Sequence, residues 1–246
     1  MLAYFVLPVM LLCQPATPAL LQPASSDTSI ELSTEMWQGF TELDQSGAYF
    51  DLVRLIYQPH QPQLKISFTN FNRALTLVRQ HKADMTLAVS AHDSEQLLLS
   101  EWPIDEDQIV AIYHPQQHQI SSAADLASLR LAWNLAYDFG AILGLKTQGY
   151  EVPSVAQGIE LVLKQRIDVY LAELSQYDYY RQQHPGLPLT SQLIASDPIF
   201  AAFATTDKGL QLKCLWDQRF KTLAANGELQ QLYQRHRDFN LLTMQP

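Results

Sequence analysis

Glu173 follows the apolar, strand-like run Val-Tyr-Leu-Ala and is the carboxylate best placed for chemistry in this chain. In open α/β sheets, ligands gather beyond the carboxyl ends of the strands. The same rule singles out positions 34–37, 70–73, 90–92 and 135–138, and with them Trp37, Arg73, Ser90 and Tyr137. Trp37 either stacks on a planar or cationic solute or packs beneath its own loop. Arg73 either aims its guanidinium at an anionic group or pairs with Asp44 or Asp51 on the surface. Glu173 either accepts from a ligand amine or is a first-turn acid stabilised by the dipole of the next helix. As a set these residues suit the capture of a small polar solute by charge, hydroxyl and aromatic contact.

Catalytic and metal chemistry find less support. The seven histidines are scattered without the spacing of a zinc site, and neither a P-loop nor a G-x-S-x-G turn occurs. His92-Asp93 is an adjacent pair on a loop, where neighbours seldom face one another, so it reads as a solvated pair rather than a general base. No cofactor and no metal is expected. A formal net charge of −9, without any Lys/Arg run, repels phosphate backbones and argues against nucleic acid as a partner.

The elements that must position these residues alternate in type. Strand-like segments cover residues 29–33, 64–69, 85–89, 130–134 and 169–172. Helical periodicity covers 48–57 (stopped by Pro59), 73–81, 156–165, 175–183 and 210–236, the last with a break at Asn226-Gly227. This is the βαβ pattern of largely parallel sheets. The stretch RALTLVRQHKAD from Arg73 is echoed by QGIELVLKQRID from Gln157, which favours two lobes built from similar α/β units facing each other across a cleft.

At the N-terminus, Leu2 to Leu12 is apolar but too short to span a bilayer as a helix, and a Pro/Ala/Ser-rich run follows. This fits an export signal over residues 1–24, cleaved after Ala19 or Ala24, although no Lys or Arg precedes the apolar stretch. Cys13 follows Leu12 rather than the small residue that lipidation needs. Removal of the signal would leave Cys214 alone, in an apolar, helix-like setting that suits a buried core thiol.

Seven segments, taken in order, carry a resemblance: IELSTEMWQGF, GAYFDLVRLI, NRALTLVRQHKADMTLAVS, SEWPIDEDQIVAIYHP, AADLASLRLAW, GIELVLKQRIDVYLAEL and WDQRFKTLAANGELQQLY. Together they resemble the family 3 bacterial extracellular solute-binding proteins, the receptors of polar amino-acid ABC importers. The resemblance implies the two-lobed, type II periplasmic-binding-protein fold, each lobe a mostly parallel sheet flanked by helices. Lobe I would comprise residues 29–111 with 205–246 and lobe II residues 112–204, with crossings near 108–114 and 197–204. It also implies a monomer in the periplasm that closes on a small polar solute and serves a membrane permease or a sensor.

The family's residue pattern is kept only in part. Trp37 stands where the family places an aromatic against the ligand. Glu173 stands where it places an Asp for the α-ammonium, and Tyr137 where it usually has a small hydroxyl residue. The family's carboxylate-clamping Arg, in the stretch SAHDSEQLLLS, is matched by Gln96, with Arg73 the obvious substitute. An amine-bearing solute therefore fits better than an ordinary amino acid. Two other readings stay open: a periplasmic enzyme on this scaffold resembling the cyclohexadienyl dehydratases, and a degenerate receptor acting by protein contact.

Overall fold

Leu64, Ile66 and Phe68 point inward from the strand Gln63–Phe68, while its alternate residues are exposed, the mark of an edge strand with one covered face. The helix Ala48–Tyr57 buries seven of its residues in the same core. Both belong to a computed structural model that describes residues 29–236 apart from 136, 138 and 147. The expected export signal over residues 1–24, and Cys13 with it, lies outside the described residues.

The chain forms β1 (Ser29–Thr34), α1 (Ala48–Tyr57), β2 (Gln63–Phe68), α2 (Phe71–Arg79), β3 (Met85–Ser90), β4 (Leu97–Leu99), β5 (Asp105–Tyr113), β6 (Leu131–Asn134), α3 (Phe139–Ile142) and β7 (Tyr150–Val152). It continues through α4 (Val155–Leu163), β8 (Val169–Glu173), α5 (Leu174–Gln183), β9 (Thr190–Ala204), α6 (Asp207–Ala225) and α7 (Glu228–Arg235). The strands run in the order β2-β1-β3-β9-β5-β8-β6-β7, with β4 also on β9. The triplets β2-β1-β3 and β7-β6-β8 are parallel, and each gains one antiparallel neighbour, β9 or β5. These two long strands pair with each other and join the halves. One hydrophobic core draws on residues between Ile30 and Ile104 and between Ile199 and Tyr233, while two others lie wholly between Ile109 and Ala195 or Leu189.

The echoed sequence segments are echoed in geometry. Asn70 caps α2 by accepting from the Arg73 N–H, and Ser154 caps α4 by accepting from the Gln157 N–H. Each helix ends on a left-handed residue, His81 at φ 58° and Gln165 at φ 55°. Asp84 then accepts from the Glu31 N–H at 2.8 Å, and Asp168 from the Arg130 N–H at 2.7 Å. In both units an aspartate at the strand entrance clips the neighbouring parallel strand.

Several expectations shift. Because Asn70 supplies the cap, α2 begins at Phe71 and Arg73 lies one turn into the helix rather than at its start. β9 starts at Thr190, ahead of the crossing expected at 197. Cys214 is half-buried on α6 and is not a free thiol sealed in a core. Among the described residues no helix is long and apolar enough to cross a membrane.

Candidate functional site

The residues facing the join of the two halves are set by strand register. Glu173 ends β8 opposite Ile109 of β5, and Asp107 lies opposite Asp197 of β9. Residues two apart on a strand, and residues paired across strands, share a face. Asp105, Asp107, Asp197 and Glu173 therefore line one face of the sheet where the two long strands cross. Asp105 is anchored: it accepts from the Tyr49 hydroxyl at 3.1 Å and from the Glu106 N–H at 2.7 Å.

Glu173 precedes α5 but makes no side-chain cap bond to it. It accepts instead from the Tyr137 hydroxyl and, at 3.2 Å, from Gln176 Nε2. Gln176 Nε2 also donates to the Tyr137 oxygen at 3.2 Å, while its Oε1 accepts from Asn134 Nδ2 at 3.3 Å. Asn134 Oδ1 in turn accepts from Tyr170 at 2.7 Å. The strand ends of β6 and β8 thus hold Tyr137 and Glu173 in one network, an arrangement that fixes side chains before a ligand arrives.

Across the join, Glu35 extends β1 and its carboxylate accepts from the Phe71 N–H at 2.9 Å. Burial raises its pKa, only partly offset by that bond, and its charge raises those of Glu173 and Tyr137. Glu173 is pushed up to about 7, by burial first and then by Asp105 and Glu35, against the lowering bonds from Tyr137 and Gln176. Asp105 also rises to about 7, chiefly through burial. Asp107 rises well above the usual carboxylate range through burial and the charges of Glu173, Asp105 and Asp197. No Lys, Arg or His counts among the charges acting on these four groups.

The other sequence candidates sit apart from this network. Trp37 is half-buried, packed on the first core with its ring 5.9 Å from that of Phe71. Arg73 is exposed and forms no ion pair among the described residues. Asp51 is taken by Arg54 and His236, and Asp44 by Ser46. Ser90 is buried, and its oxygen accepts from the His92 N–H. Neither Arg73 nor Ser90 shares a hydrogen bond or ion pair with the Glu173 group. Gln96 is exposed on a left-handed turn at φ 60°, and Arg79 fastens this loop from α2 by donating to the Glu95 and Asp93 carbonyls at 3.0 and 2.7 Å.

Sequence reading missed Asp105, Asp107, Asn134, Gln176 and Asp197, and did not single out Glu35 within positions 34–37. The acidic Asp-Glu-Asp at the start of an apolar strand was the available signal. Among the described residues no group of three or more His, Cys, Asp or Glu side chains is arranged to hold a metal. A surface concavity of about 420 Å³ lined by Leu55, Glu228, Gln231, Gln234 and Arg235 shares no residue with the network.

No protein-family model matches the chain, and no curated protein matches it by sequence. Solved structures do match it in shape. A histidine kinase sensor domain with similarity to periplasmic binding proteins aligns over 86% of this chain and 96% of its own, with TM-score 0.72 and 12% identity. The GluR0 ligand-binding core in complex with L-glutamate aligns over 87% and 99%, at TM-score 0.69 and 14% identity. An ABC uptake transporter substrate-binding protein from Streptococcus pneumoniae with bound histidine aligns over 88% and 95%, at TM-score 0.68 and 14% identity. Near-complete coverage of both partners, together with two parallel triplets joined by crossing antiparallel strands, identifies the architecture: the chain has the two-lobed α/β fold of the type II periplasmic-binding-protein class.

Proposed function

We propose that this chain is an exported solute-binding protein that closes on a small, amine-bearing solute and presents it to an ABC importer or a sensor. Its lobes would be residues 29–111 with 205–246, and residues 112–204. The observation that carries the reading is the Glu173–Tyr137 pair, held among further carboxylates with no basic partner acting on them. Buried charge is normally compensated, and a cationic solute supplies the missing charge. Trp37 would add a cation–π face and Ser90 a hydroxyl as the lobes close. The proteins of similar shape are named as receptors for amino acids or as a sensor domain, which supports capture rather than conversion.

Calorimetry on three variants tests this. Glu173→Gln should weaken the best amine by at least about tenfold, or 1.4 kcal/mol. Gln96→Ala should change it by less than about threefold, since a neutral exposed amide makes weaker bonds. A purely anionic best ligand, lost in Arg73→Ala and indifferent to Glu173→Gln, sinks the proposal. Ligand should also lower the radius of gyration in scattering, as closure of two lobes requires. N-terminal sequencing of envelope protein should begin between about Leu20 and Thr28.

One observation favours a second reading. A carboxyl near neutrality beside a tyrosine could exchange protons with a substrate, as the dehydratase-like alternative requires. Product formation from prephenate-like substrates, lost in Glu173→Gln, would establish it.

A further inference from the structure

The network around Glu173 accounts for one positive group; it leaves two carboxylates behind it unexplained. Asp107 and Asp197 face each other across the crossing strands. Asp197 is only 9% exposed. Among the described residues, neither carboxylate accepts a hydrogen bond or forms an ion pair. The anchors that satisfy their neighbours, Tyr49 and the Glu106 N–H on Asp105 and the Phe71 N–H on Glu35, have no counterpart here. Asp107 beside Asp197 is half-buried, and a structural carboxylate pair in such a position would be expected to carry an arginine, a lysine or several N–H donors.

The position of the pair matters as much as its isolation. Asp107 lies diagonally from Glu173 across β5 and β8, which puts their Cα atoms roughly 8 Å apart. Asp197 is one strand further, roughly 12 Å from Glu173. All three project from the same sheet face, so a solute entering at Glu173 and Tyr137 meets the pair at its far end. The interval suits a short aliphatic chain with a cationic group at each terminus.

Resting on the reading of the cleft as an amine site, we propose that the solute is a dication: a short aliphatic diamine with one ammonium at Glu173 and Tyr137 and the other between Asp107 and Asp197. The second ammonium supplies the donors that these two carboxylates lack, and a monoamine leaves them without any.

Titration calorimetry at pH 7.5 with 1,4-diaminobutane, 1,5-diaminopentane, butylamine and pentylamine tests this. The better diamine should bind at least about tenfold more tightly than the monoamine of equal chain length. In Asp197→Asn and Asp107→Asn that ratio should fall to within about twofold. A wild-type ratio near one, with monoamines still binding, overturns the dication while leaving the amine site intact. A ratio that survives in both folded variants overturns it as well. If neither amine class binds and the folded protein takes a zwitterionic or anionic solute, the reading of the site has failed and the dication with it. Should both variants fail to fold, the wild-type ratio decides alone.

Discussion

Acid should stabilise the unliganded protein over a range in which most proteins are indifferent or weakened. Glu173 and Asp105 are both held at about 7 by burial, against about 4 for free carboxyls in an unfolded chain. Between pH 5 and 7.5 the native protein therefore keeps protons that the unfolded chain has already lost. Stability falls as pH rises through this window, by up to about 1.4 kcal/mol per unit for each group. Asp105 is itself among the causes of the Glu173 shift, so the two contributions overlap, and Glu173 is partly open to solvent. A combined loss of about 3 kcal/mol from pH 5 to 7.5 allows for both effects. For a chain of this size that is a melting temperature roughly 6–12 °C higher at pH 5. Asp168 does not confuse the result: its bonds to Arg130 hold it at about 2, so it is ionised throughout, folded or not. Calorimetric melts of the wild type and of the Asp105→Asn/Glu173→Gln double variant make the comparison, and the double variant should lose at least half of the slope. A wild-type melting temperature that is flat, or higher at pH 7.5 than at pH 5, would refute the assignment of buried, uncompensated acids.

Two further outcomes probe the frame that carries the site. Asp168→Ala removes the acceptors for the Arg130 N–H, Nε and Nη2 and should cost about 2 kcal/mol in urea melts; Asp84→Ala, its counterpart on the other lobe, should cost a similar amount. Gly158→Ala would put a Cβ 2.3 Å from the fully buried Tyr170 ring, whose hydroxyl tethers Asn134, and should cost about 1–3 kcal/mol in the same assay.

Much of this was legible in the sequence because parallel strands buried on both faces read as apolar runs, and the two helix–turn–strand units repeat. The strand-end rule likewise pointed to Glu173 and Tyr137, which the fold brings together in one hydrogen-bond network. The crossing strands were legible only in part. β9 carries Ser191, Gln192, Ser196, Asp197 and Pro198, and β5 opens on Asp105, Glu106 and Asp107, compositions that read as turn or loop. The acids facing the join were hidden for a related reason. Asp107 and Asp197 lie within strands, not at their ends, and only the register between segments ninety residues apart makes them neighbours. The start of α2 was misread over a single cap, since Asn70 and Asn72 are equally good cap residues on paper and the choice of Asn70 puts Arg73 third in the helix.

The split core has a consequence for how the chain comes into being. Ile30, Leu32, Phe50 and Leu87 emerge early from the ribosome, yet the core they belong to is closed by Trp216, Phe220, Leu223, Leu229 and Leu232. At cellular rates of synthesis those late partners follow roughly ten seconds behind. Two other cores draw only on residues between Ile109 and Ala195 and can consolidate in the meantime. The first lobe must therefore wait, open and apolar, for the tail of its own chain. On the export route proposed above, that delay is an advantage: the last helices arrive on the far side of the membrane, where folding can finish.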